Sequence, residues 1–184
     1  YSVVSASQPD QWFHFGEKIA GFSAHQVPGG ISLRIDERAG RLFIQPASED
    51  RYFASGWELR SEQAFAEALA ELAGLGIAFT RSTNSERDLR HVTDMVWFLD
   101  PSGNRHELSY GYVTDFAKFC SPTGTRFVTG DLGYGHMVLP APNIAETRTF
   151  LMRVLGLGVS DFMVHRPLGP GGPEMRIDFM HCAN

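Results

Sequence analysis

The chain repeats itself, and that repeat limits the folds open to it. Residues 1–22 superimpose on residues 136–157 in one register: Val3 meets Val138, Val4 meets Leu139, Phe15 meets Phe150, Ile19 meets Val154, Gly21 meets Gly156. The same register sets Tyr1 against His136. Each copy reads as a strand, a short loop, an amphipathic helix and a glycine stop, so the fold should be assembled from a duplicated unit. In the first copy Ser7 and Asp10 have capping-box spacing, and Trp12, Phe15 and Ile19 are expected to form one apolar helix face. In the second, Asn143 and Glu146 repeat that spacing ahead of Phe150, Leu151, Val154 and Leu155.

Between the copies the pattern continues as strands. Residues 31–36 alternate cleanly, and 41–45 follow a turn at Gly40. The cycle then restarts with a strand at 54–59 and a helix capped by Ser61, with Phe65, Leu69 and Leu72 inward and a stop at Gly74 or Gly76. A strand at 77–80 comes next, and the polar run 84–90 reads as a solvated loop. Strands at 95–99 and 105–109 flank Asp100-Pro-Ser-Gly-Asn104, whose residue types suit a tight turn. The fold class is therefore α+β, built from paired βαβββ modules of which the second is incomplete. Residues 1–113 form the first module, 114–129 a linker containing Pro122 and Gly124, and 130–184 the start of the second.

Charge and cysteine usage narrow the partners. Acidic residues outnumber basic ones, 21 to 16, so nothing suggests nucleic acid or an anionic membrane. Cys120 and Cys182 are the only two cysteines and stand far apart, which points to a reducing, cytoplasmic setting and to buried thiols. No apolar run approaches the roughly 18 residues of a membrane span. The chain opens at Tyr1 inside an apparent strand and stops at Asn184 without a cap, so both ends read as cut.

Chemistry concentrates in Phe127-Val-Thr-Gly-Asp-Leu-Gly-Tyr-Gly-His136. Glycines steer the backbone into an apolar strand that begins with one imidazole. Such a ring needs a partner, either a metal or a backbone carbonyl. Paired βαβββ units with a Phe98-Leu-Asp-Pro-Ser-Gly-Asn-Arg-His-Glu-Leu108 hairpin look like the vicinal oxygen chelate superfamily. The segment ending at His136 resembles the two-module type I extradiol dioxygenases, typified by 2,3-dihydroxybiphenyl and 1,2-dihydroxynaphthalene ring-cleavage enzymes. Phe179-Met-His-Cys-Ala-Asn184 resembles the strand that leads to that family's active-site histidine.

The resemblance implies non-haem Fe(II), rarely Mn(II), held by two His and one Glu with open positions for a catecholate and dioxygen. His136 matches the first metal ligand. The repeat offset carries the counterparts of Ala54 and Glu107 beyond Asn184, so the other two ligands and the acid–base His are expected past the end. No catalytic residue is expected within the chain, which alone should be inactive. Val138 and Phe179 fall where the family's pocket walls lie, with Met163 and His165 as further candidates for substrate binding. The implied partners are a catecholic substrate, bicyclic or larger, and dioxygen, and the implied assembly is a homo-oligomer.

The first module has Tyr1 in place of a ligand His and Ala54 near the second, matching a non-catalytic module. Glu107 is then expected at the surface or against the linker. A local cluster of His136, His165 and His181 is a second way to hold a metal. Different readings stay open: a non-enzymatic ligand-binding relative like the bleomycin-binding dimers, a glyoxalase-like metal isomerase, or a purely structural domain.

Overall fold

β1 (Ser2–Ala6) has both edges taken, and the first half of the chain is arranged around it. It runs parallel to β4 (Leu42–Pro46) and antiparallel to β5 (Arg51–Leu59), with Val3 opposite both Phe43 and Ala54. The structure is a computed structural model, and it describes residues 1–130 and 133–182. Asp131, Leu132, Ala183 and Asn184, which fall in the two motifs quoted above, lie outside the described residues. The remaining elements of the first half are α1 (Pro9–Phe15), β2 (Ser23–Val27), β3 (Gly30–Arg34), α2 (Glu62–Gly74), β6 (Thr80–Arg81), α3 (Asn84–Arg90), β7 (Asp94–Leu99) and β8 (Arg105–Tyr110).

Together these strands make one eight-stranded sheet in the order β2-β3-β4-β1-β5-β8-β7-β6. Read outward from the β1/β5 junction, each half runs first strand, fourth, third, second. The two βαβββ motifs expected from the repeat are therefore present, joined by their first strands. Alternation along β1 supplies both faces of the sheet. Tyr1 and Val3 pack with Phe43, Ala54, Leu89 and Met95, whereas Ala6, with Val4 beside it, packs with Ala24, Ile31, Leu33, Leu42 and Ile44.

Several local expectations give way to stronger contacts. Ser7 does not cap α1; its backbone N–H and hydroxyl both donate to Asp50, and Gln8 takes the cap position. The helix then loosens into a π turn over Gly16–Ala20, stopped by Gly21 in the left-handed region (φ 77°). Trp12 and Phe13 reach the core, while Phe15 and Ile19, expected on the apolar face, stay exposed. Ser61 does cap α2, accepting the Ala64 N–H at 3.1 Å.

The polar run 84–90 is not a solvated loop but the helix α3. Thr83 and Glu86 close a full capping box at its start, each bonding the other's backbone N–H. Its last residue, Arg90, has no exposed surface. The strand expected at 77–80 shrinks to Thr80–Arg81. In the turn between β7 and β8, Asp100 Oδ1 accepts from the N–H groups of Ser102 and Asn104 while Gly103 takes φ 84°.

By its contacts the chain forms two units, 1–98 with 105–138, and 99–104 with 139 onward. Residues 114–129, expected as a linker, lie against the first unit. Asp115 pairs with Arg34 at 2.6 Å, Ser121 donates to the Gly21 carbonyl, and the Phe127 ring lies 5.5 Å from that of Phe22. The second unit contains α4 (Ile144–Val154), β9 (Gly158–His165) and β10 (Met175–His181), the last two forming an antiparallel hairpin.

Residues 136–139 form no strand, contrary to expectation. Their counterpart β1 is held by neighbours on both sides, and among the described residues none pairs with this segment. Asn143 occupies the N-cap of α4, but its side chain donates to the Pro101 carbonyl instead of capping. Both thiols are exposed, not buried. Among the described residues no helix is long and apolar enough to cross a membrane.

Thr83→Ala removes the cap of α3 and should cost about 1 kcal/mol in denaturant unfolding. Glu86, which accepts from Thr83 and from Arg105, is disfavoured as a charge by burial, but those hydrogen bonds prevail and hold its pKa below 4.5. Its contribution is complete above the ordinary glutamate range and is lost as pH falls through the depressed folded value. Thermal melting of Glu86→Gln should therefore vary less than wild type between about pH 5 and pH 3.

Candidate functional site

Three places carry the chain's chemistry. In the first unit, β5 and β8 pair in parallel with Gly56 opposite Glu107. Because Gly56 has no side chain, the Tyr1 ring lies over it; a Cβ there would overlap the ring. The Tyr1 hydroxyl donates to Glu107 Oε2 at 2.8 Å and lies 3.1 Å from the Met95 sulfur.

Arg90 reaches the same carboxylate from the end of α3, Nε to Oε2 at 3.1 Å and Nη2 to Oε1 at 3.2 Å. Arg105 Nε sits 2.9 Å from Oε1 as an ion pair without hydrogen-bond alignment, and its Nη2 holds Glu86 at 2.7 Å. Phe53 lies beneath both guanidinium groups, 6.0 Å from Arg90 and 4.8 Å from Arg105.

Glu107 is thus fully buried, not a surface or linker-contacting group. A buried carboxylate needs countercharge, and two arginines supply it. Burial opposes the Arg90 charge, but Glu107 beside it outweighs that and raises its pKa. Burial also pushes the Tyr1 phenol far up, and the neighbouring Glu107 charge adds to it. The phenol therefore stays protonated and donates.

His136 and Val138 belong, by their contacts, to the first unit and are exposed, Val138 by 80%. Between them Met137 turns inward, its sulfur accepting from Ser55 Oγ at 2.7 Å. The other candidates lie in the second unit. In the hairpin Met163 pairs with Ile177, His165 with Met175, and Phe179 with Asp161. Directly paired residues share a face of a sheet, so Met163, His165 and Phe179 stand together with Met175 and Ile177. All except Ile177 are exposed.

The opposite face is the one tied to α4. Asp178 is almost fully buried there, accepting from Arg148 of α4 at 3.3 Å and from Arg176 at 2.7 Å. Arg176 also stacks on Phe162, 4.3 Å from the ring centroid. One hairpin face is thereby tied to α4 by charge, and the other carries the exposed Met163, Met175 and Phe179 beside Asp161 and His165.

Next to the β-bulge between Phe179 and Met180, His181 bonds Ser160 at 2.6 Å. Its ring lies over Gly158, where a Cβ would come within 2.6 Å. Among the described residues no three His, Cys, Asp or Glu side chains come together to hold a metal ion, so His136, His165 and His181 do not form one site. Nor do the described residues complete a ligand set around His136.

Arg90 is not evident from the sequence, because the charged run 84–90 that carries it has the composition of a solvated loop. The Thr83-x-x-Glu86 spacing was the available signal for it. Glu107 was misplaced because its two arginine partners lie 17 residues before it and two before it, at no helical spacing.

No protein-family model matches the chain. It is 33% identical over 175 residues to an iron-dependent extradiol dioxygenase of Rhodococcus jostii (strain RHA1), covering 94% of this chain and 58% of that protein. To the biphenyl-2,3-diol 1,2-dioxygenase of Pseudomonas sp. (strain KKS102) it is 33% identical over 176 residues, 93% of this chain and 59% of the relative. Among solved structures, a halotolerant catechol dioxygenase superimposes with a TM-score of 0.83 at 31% identity, covering 99% of this chain and 60% of the other. The chain spans about three fifths of the length of the curated relatives it matches.

Asp178→Ala leaves two partly exposed arginines without their carboxylate, so water limits the loss. A cost of about 1–2 kcal/mol is expected, below the 3–5 kcal/mol typical of fully buried pairs. Hydrogen exchange should show it first in β10.

Proposed function

We propose that this chain, whose homologues are extradiol dioxygenases, is the N-terminal part of an enzyme that cleaves a catechol ring beside its hydroxyls with dioxygen. The observation that carries this reading is the homology over nearly the whole chain, together with a sheet whose two halves repeat the same strand order. The fitting substrate is an aromatic diol of two rings or more, in the degradation of aromatic hydrocarbons. A cytoplasmic location and a homo-oligomer go with the same reading.

The division of labour we infer has residues 1–113 as a non-catalytic module, 114–129 as its link, and 130–184 as the beginning of the catalytic one. Iron(II) is the proposed cofactor, with His136 as one ligand. It would supply the coupling of diol and dioxygen. Beside that ligand, the chain would contribute by positioning the ring. Met163, His165 and Phe179 share the open face of the hairpin, and Val138 follows His136 by two residues. The exposed Met163, Met175 and Phe179 side chains on this face suit contact with a hydrocarbon ring.

Dioxygen uptake by the whole protein with biphenyl-2,3-diol, naphthalene-1,2-diol and catechol tests the reading. Uptake is expected with the two larger diols, and His136→Ala should lower it by about 100-fold or more, beyond the cost of losing an outer partner of a metal ligand. Phe179→Ala should raise KM for the larger diols more than it lowers kcat. No uptake with any diol from iron-loaded protein would overturn the assignment.

A further inference from the structure

The repeat that sets Tyr1 against His136 invites a comparison of what each module keeps at that position. In the second module it is an imidazole proposed to hold a cation. In the first it is a phenol whose hydroxyl donates to a buried carboxylate, and that carboxylate grips a guanidinium. We propose that the first module retains a built cation site whose permanent occupant is Arg90, a side chain of the protein itself standing where the second module takes its metal. The parallel with iron rests on the functional reading above, whereas the cation site stands on the first unit's own geometry.

Four observations support it. Arg90 and Glu107 both have side chains with no exposed surface. The guanidinium is held by both carboxylate oxygens, at 3.1 and 3.2 Å, with Gln45 Oε1 at 3.5 Å. Gly56 lies opposite Glu107 and leaves room for the Tyr1 ring that completes the wall. Finally, Arg90 Nη1 is buried with no hydrogen-bond partner among the described residues. A guanidinium introduces five donors where a spherical ion needs only acceptors, so a leftover donor is what a borrowed site would give.

Arg90 arrives from the C-terminal end of α3, where a cation is also favoured by the helix dipole. The charges around the cluster balance: Arg90 and Arg105 face Glu107 and Glu86. Removing Arg90 alone leaves an excess buried negative charge, whereas removing Arg90 and Glu107 together leaves Arg105 with Glu86. This arrangement fills the place a metal would take and keeps the first module out of the metal chemistry.

The test uses the whole protein and reads melting temperature. Arg90→Ala should melt several degrees below wild type. Methylguanidinium at tens of millimolar should raise the melting temperature of Arg90→Ala but not of wild type, and should not raise that of Arg90→Ala/Glu107→Gln. Sodium chloride and urea at the same concentrations control for salt and denaturant. Arg90→Met/Glu107→Gln should be more stable than Arg90→Met, because the double change restores the balance of charge.

If Arg90→Met fails to fold, recovery of folded protein from the double variant supports the proposal in the same way. Absence of rescue by methylguanidinium, or a double variant no better than the single one, overturns it. Iron content and dioxygen uptake, read separately, report on the second module. Failure of the functional reading therefore shows there, and failure of the cation site shows only in melting.

Discussion

A carboxylate with no exposed surface must be matched by positive charge, and the middle of the first sheet depends on how Glu107 is matched. Its position on β8 sets it opposite Gly56, the bare glycine lets the Tyr1 ring in, and the ring fixes where β1 begins. Arg90 comes from the end of α3, whose start Thr83 and Glu86 cap. Glu86 in turn holds Arg105, the second guanidinium on the same carboxylate. Helix start, helix end and sheet register are thus joined through one charged group. Half-satisfied, such a network costs more than an apolar core; complete, it specifies a single arrangement.

The two units differ in how their strands are covered. In the first unit β1 is paired on both sides, and Tyr1, Phe43, Met95 and Arg90 are buried. In the second unit the hairpin of β9 and β10 has one face tied to α4 through Asp178 and the other free.

Much of this was legible in the sequence, for definable reasons. The strands at 31–36, 41–45, 54–59, 95–99 and 105–109 and the helix after Ser61 follow from hydrophobic alternation and glycine stops, because those patterns report directly on burial. The Asp100–Asn104 turn and the Ser61 cap were readable since their residue types act locally. What escaped reading depends on distant partners. Ser7 could cap its helix or bond Asp50, and only the fold brings Asp50 to it. The run at 84–90 looked solvated because charge usually is, yet Arg90 is buried by a glutamate far along the chain. The site residues divide the same way. Met163, His165 and Phe179 share a face by simple period-two alternation, whereas His136 lacks the strand expected of it because strands require neighbours.

The central claim is that the second half of the repeat holds the metal while the first half is closed by its own arginine. Anomalous diffraction at the iron absorption edge from crystals of the iron-loaded whole protein locates the metal without assumptions about activity. The account predicts a peak within bonding distance of the His136 imidazole and none beside Glu107. A peak next to Glu107, or one remote from His136, would contradict it.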